Sequence, residues 1–136
     1  MNTPTKFDDI IDSRDVIERI AELEALVLPI HNIETGETEV DPNVSPEDRE
    51  TFAEELAILT ALADEASGYA ADWEHGETLI RDSYFETYAE ELAEDIGAIP
   101  SGAAWPLRCI DWAQAARELQ QDYTSVNFDN VIYWVR

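Results

Sequence analysis

Apolar residues recur at helical spacing in the first half of this chain and change period in the second. Val16, Ile20, Leu23 and Val27 follow one another at steps of 4, 3 and 4, with Ile17 and Leu28 widening the stripe. That spacing predicts an amphipathic helix from about Arg14 to Leu28, opened by Asp12 and Ser13 and ended by Pro29. The stretch Pro29 to Ser45 (PIHNIETGETEVDPNVS) has Gly, two Pro and four acidic residues, and predicts a long acidic connection. Ser45 before Pro46 is a helix start, a capping hydroxyl followed by Pro at the first helical position. Phe52, Leu56, Leu59, Ala63, Ala66 and Ala70 then form a heptad seam that tapers from large residues to alanines. The expected result is an antiparallel helical hairpin, whose alanine end permits close approach of the partner helix or of another subunit.

Past Trp73 and Gly76 the pattern shortens. Thr78, Leu79 and Ile80 suggest a strand, and Ser83 is placed to cap a helix from Tyr84 to Ile96 that Gly97 closes in the left-handed conformation. After a loop containing Pro100, Gly102 and Pro106, a helix from about Asp111 to Gln120 is expected to bury Trp112, Ala115, Ala116 and Leu119. Two strands finish the chain, Tyr123 to Phe128 and Val131 to Val135. Asp129 and Asn130 join them, two residues that tolerate the positive φ of a tight hairpin turn. The predicted class is α+β: an antiparallel helical hairpin over residues 1–75, including the 29–45 connection, then a small α+β unit with a β-hairpin over 76–136. A length of 136 residues allows one domain, or two small units sharing a core.

Charge changes the picture more than any motif. The chain has 31 Asp and Glu against 8 Lys and Arg, a formal net charge of −23, and Lys6 is its only lysine. Solubility asks for a magnitude of about 2–8 in a small domain, and self-repulsion on this scale opposes a compact fold. With 45% hydrophobic residues, four of them Trp, the chain can nonetheless bury a core, which excludes a disordered acidic tail. The charge is also lopsided: 27 acidic and five basic residues in the first 100, four and three in the last 36. Such asymmetry points to a cationic partner.

Placement sharpens the point. Glu47, Asp48 and Asp15 stand at helix starts, where the helix dipole favours anions. In the Tyr84 helix, by contrast, Glu86, Glu90 and Glu94 stack at i, i+4 and i+8, beside a second pair, Glu91 and Asp95. Like charges four apart cost about 0.2–0.5 kcal/mol per pair, and Glu94 and Asp95 sit in the last turn, where the dipole opposes them. A solvated face explains one such helix, but the same excess runs through every segment up to residue 100. Duplex DNA carries one charge per 1.7 Å of axis, so 23 charges correspond to roughly 39 Å of duplex. A compact chain of this length has a diameter of about 37 Å. The expectation is therefore a fold that wears charge at about the linear density of B-DNA, its carboxylates standing in for phosphates. Glu54, Glu55, Asp64 and Glu65 of the second helix join the five of the Tyr84 helix as candidate partner-binding residues. Halophilic adaptation is the main competing explanation, opposed by the nearly neutral C-terminal third.

Signals for catalysis are few. His31 and His75 lie in no metal-ligand spacing and suit surface or turn positions. Cys109 is alone, which excludes an intrachain disulfide, and beside Ile110 it suits a small buried hydrophobe. There is no GxSxG, no phosphate-binding glycine loop and no calcium loop, so we expect no enzyme activity, no metal site and no cofactor. Trp105, Trp112 and Trp134 are expected in the core, packing the Asp111 helix onto the hairpin. The cations that direct nucleic-acid binding requires are missing. No apolar run approaches a membrane span and the first residues, MNTPTKFDDIID, lack a signal-peptide pattern, so a cytoplasmic protein without membrane contact is expected.

The run YFETYAEELAEDIG, followed by CIDWAQAARELQQDYTSVNFDNVIYWV, resembles the C-terminal half of the ArdA antirestriction proteins and their short phage and plasmid relatives. The resemblance covers about residues 77 to 136; the first 75 lie outside it. It implies an acidic, non-enzymatic mimic of B-DNA that blocks restriction and modification enzymes in a bacterial host cell, with a homodimer as one assembly. It further implies that Glu86, Glu90, Glu91, Glu94 and Asp95 are the mimicking carboxylates and that Asp111, Trp112, Arg117, Leu119 and Tyr123 are scaffold. The expected partner is thus a DNA-binding protein with a basic cleft. An inhibitor of another defence system, such as a CRISPR effector, and an acidic assembly protein are the alternatives.

Overall fold

The computed structural model describes residues 3–27, 30–31, 38–39, 44–100, 102 and 104–136. The chain is α+β. Its order is β1 (Ile10–Asp12), α1 (Ser13–Val27), β2 (Ile30–His31), β3 (Thr38–Glu39), α2 (Pro46–Ser67), β4 (Thr78–Arg81), α3 (Phe85–Asp95), α4 (Trp112–Leu119), β5 (Thr124–Phe128) and β6 (Val131–Val135). Strands β1, β4, β6 and β5 lie in that order in one antiparallel sheet.

Helices α1 and α2 run antiparallel, as their contacts show. Ser13 at the start of α1 bonds Trp73, beyond the end of α2, whereas Arg19, farther along α1, reaches back to Glu55. Ser45 caps α2 as its sequence predicts, its hydroxyl accepting from the Asp48 N–H at 3.1 Å, with Pro46 next. The seam is partly as expected: Leu59 and Ala66 are buried, Ala70 is buried beyond the helix end, and Leu62, outside the heptad, is buried too.

The central strands of the sheet are covered on both faces, and side-chain alternation explains how. Successive residues of a strand point to opposite faces. Leu79 and Tyr133 therefore join Val16, Leu23, Leu59 and Leu62 in the core beneath the helical hairpin. Their neighbours Ile80 and Trp134 face the other way, into a second core of Phe85, Ala89 and Ala116 under α3 and α4. The second core is aromatic: the Phe85 ring lies 5.3 Å from Tyr123, edge-on, and 6.0 Å from Trp134. Residues from both halves of the chain thus share the first core.

Several expectations need correction. The chain before α1 is a strand, β1, paired with β4. Part of the 29–45 connection is also strand, β2 paired with β3; residues 29, 32–37 and 40–43 of that connection lie outside the described residues, as do Leu28 and the His31 side chain. Ser83 does not cap α3. It sits in a 3-10 turn, Asp82–Tyr84, its hydroxyl accepting from Arg81 instead, and α3 begins one residue later than predicted, at Phe85. Helix α4 packs beside α3 on the far side of the sheet, not on the hairpin, because Ile80 and Trp134 present the apolar surface there. Trp105 is 70% exposed and Cys109 is exposed. Two expectations hold in detail. Gly97 closes α3 at φ +76°, and Asp129 and Asn130 turn the hairpin at φ 49° and 68°.

Two buried polar groups tie the layers together. Ser13 does not act as a helix cap: fully buried, its hydroxyl donates to the Trp73 carbonyl (2.7 Å) and accepts the Glu77 N–H (2.6 Å), while its own N–H donates to the Glu77 carbonyl (2.8 Å). Replacing Ser13 with Ala strands two polar backbone groups, so urea unfolding of Ser13→Ala should show a loss of about 2 kcal/mol.

Tyr133, likewise fully buried, brings its hydroxyl to the carbonyls of Asp8 (2.5 Å) and Thr5 (3.2 Å), pinning the N-terminal arm to the sheet. Burial pushes the phenol up to about 12, and Tyr123 is pushed up to about 12 by burial and by its contact with Tyr88. An unfolded tyrosine ionises near 10, so between pH 10 and 12 the unfolded chain releases protons that the folded chain retains. Stability should be unaffected by these groups below pH 10 and fall across that window. Denaturation midpoints measured from pH 9 to 12 test this, and Tyr133→Phe should flatten part of the decline.

Candidate functional site

Helix α3 presents its carboxylates because its apolar stripe is narrow. Phe85 and Ala89 are buried, Tyr88 and Leu92 half-buried, and this stripe faces the sheet and α4. The remaining half of the helix surface carries Glu86, Glu90, Glu91 and Asp95, all exposed, with Glu94 half-buried. At a rise of 1.5 Å per residue the five span about 13.5 Å, a mean axial step of about 3.4 Å. A single DNA strand carries one phosphate per roughly 3.4 Å. Glu86, Glu90, Glu94 and Asp95 form no ion pair with the described residues.

One carboxylate of the ridge is oriented by a neighbour that spacing alone did not single out. The Tyr84 hydroxyl lies 2.8 and 2.9 Å from the two Glu91 oxygens, and that hydrogen bond to a carboxylate raises the phenol above its ordinary value. Tyr84 precedes Glu91 by seven residues, two helical turns, which is the signal a sequence reader could have used.

The second set of candidate residues lies across the sheet. Glu54, Asp64 and Glu65 are exposed on α2 and Glu55 is half-buried, so the structure does not bring them onto one face with the α3 group. Two of the four are engaged within the fold. Glu55 accepts both Arg19 Nε (3.0 Å) and Arg19 Nη2 (2.9 Å), a bidentate pair that joins α1 to α2, while Glu22 holds the same guanidinium from the other side (3.1 Å). These carboxylates, Glu55 first, raise the arginine further above its ordinary value. Glu65 accepts the Asn127 N–H at 2.8 Å on β5. Glu54 borders a groove of about 310 Å³ between the N-terminal arm and α2, where Lys6 stands 3.5 Å from Asp129.

A smaller hollow of about 160 Å³ opens beside α3, lined by Glu90, Glu94, Ile99, Leu107, Arg108 and Trp112. Sequence reasoning missed it, because Ile99 and Leu107 are brought to α3 by loop geometry that no periodicity encodes. Among the described residues, no group of three or more His, Cys, Asp or Glu side chains is gathered as metal ligands would be. His75 is exposed in a turn. No helix among the described residues is long and apolar enough to cross a membrane. No protein-family model, curated protein or solved structure matches the chain.

The ridge stores repulsion in three i, i+4 pairs, two of which, Glu86 with Glu90 and Glu90 with Glu94, share Glu90. Replacing Glu86, Glu90 and Glu94 with Gln should therefore stabilise the protein by about 0.5–1 kcal/mol at low ionic strength. The gain should shrink in molar salt; thermal unfolding at the two salt concentrations measures both.

Proposed function

We propose that this protein is a non-enzymatic DNA mimic, related to the ArdA antirestriction proteins, which binds a bacterial DNA-handling enzyme by presenting carboxylates to its basic cleft. The observation that supports this most directly is the α3 ridge: five carboxylates whose mean axial step is about that of one DNA strand, none of them in an ion pair with a described residue. A helix that needed only solubility would gain from lysines interleaved on the same face. The separate acidic surface of α2 suits a cleft that closes around the protein from two sides. Field-driven attraction makes association fast and strongly salt-dependent. The protein acts in the cytoplasm of the host cell, where such enzymes meet DNA, and needs no cofactor for this action.

The test is competition. A type I restriction and modification complex, and other purified bacterial DNA-binding enzymes beside it, are loaded with labelled duplex and titrated with this protein at low salt. Displacement of the duplex is expected from at least one of them. It should weaken steeply with added salt and by at least about tenfold, or about 1.4 kcal/mol, in the Glu86→Gln, Glu90→Gln, Glu94→Gln variant. Duplex that stays bound on every enzyme, or a triple variant as effective as the parent, overturns the reading.

A further inference from the structure

Among the described residues eight large apolar side chains are exposed, and three of them stand on the chain that leaves α3: Ile96 (70% exposed), Trp105 (70%) and Leu107 (46%). Single exposed apolar residues are ordinary. Here Leu107 also lines the 160 Å³ hollow, together with Ile99, Trp112 and Glu90 and Glu94 of the acidic ridge. Apolar and anionic side chains therefore border one opening.

Size restricts what could enter. Small-molecule sites usually run from about 300 to 1,000 Å³, so this hollow admits the end of one side chain and little more. Its walls match a long basic side chain, whose methylene stem lies on apolar surface while the charged head meets carboxylates. A guanidinium suits paired carboxylates better than an ammonium does, because its planar fork can donate to two oxygens at once. Trp105, two residues from Leu107, adds the kind of aromatic anchor that carries much of the energy in protein interfaces. A second copy of this chain is a poor occupant, since each copy brings a charge of −23.

We propose that the hollow between α3 and Leu107–Trp112 receives an arginine of a partner protein, with Trp105 and Leu107 packing on an apolar residue beside that arginine. This rests on the mimic reading and adds to it: the ridge sets the attraction, and the apolar wall sets how long the partner stays. Arg108 also lines the hollow and forms no ion pair with the described residues, so it competes for the same carboxylates.

Two synthetic peptides of equal length and charge test the proposal, one bearing arginines and leucines, the other lysines among glycine and serine. Calorimetry at low salt should show the arginine and leucine peptide binding about tenfold tighter, a difference of about 1.4 kcal/mol. Trp105→Ser with Leu107→Ser should abolish that excess while leaving the lysine peptide unchanged, and Arg108→Ala should enlarge it. Trp105→Ser alone, at an exposed position, serves if the double variant unfolds. Equal affinities for the two peptides, or an excess that survives the serine variants, overturns this inference and leaves the mimic reading standing. Binding of neither peptide overturns both. Sedimentation of the parent and the serine variants supplies the last arm: a dimer lost on substitution would assign the apolar wall to self-association and overturn the proposal.

Discussion

Burial on both faces of the β4–β6 pair is the constraint on which the rest of this molecule depends. A chain with a net charge of −23 gains nothing from compactness electrostatically, so apolar contact has to supply the attraction. Two adjacent positions in each central strand do so in opposite directions: Leu79 and Ile80 in β4, Tyr133 and Trp134 in β6. The helical hairpin closes one side and the α3–α4 pair the other. All the apolar work is done at the centre, and the carboxylates are left on the outermost surfaces.

That division explains why the charge can be both costly and harmless. Helix α3 needs only Phe85, Ala89 and their half-buried neighbours to hold its place, which leaves half of its circumference free for acidic residues. Repulsion along it is small beside the burial of one large aromatic ring. On the hairpin side the fold consumes part of the charge for its own cohesion. Arg19 spans Glu22 and Glu55, and in doing so fixes the separation of α1 and α2.

What the sequence revealed was whatever local chemistry decides. The cap at Ser45, the left-handed closure at Gly97 and the tight turn at Asp129 and Asn130 are each settled by a few adjacent residues, and each was legible. Strand β1 was not, because three residues have no periodicity and their partner, β4, lies nearly seventy positions away. Ser13 looked like a helix cap since only the tertiary fold brings Trp73 and Glu77 against it. Trp105 looked like core because tryptophan usually is; its exposure depends on a loop path that composition does not encode. The ridge on α3 was readable from its i, i+4 spacing. Which carboxylates the fold would use internally, Glu55, Glu65 and Glu91, was not, since their partners come from α1, from β5 and from two turns upstream.

The bond between Glu65 and the Asn127 N–H has a consequence for the company this protein keeps with itself. Strand β5 is the outer rung of the sheet, and it belongs to the part of the chain where charge is too sparse to hold other molecules away. An open rung invites a neighbouring chain to add its own backbone, which is how fibrils begin. A carboxylate from α2 instead occupies one of the outward-pointing amides, so at this margin stereochemistry guards the folded chain against self-templated growth where electrostatics would not.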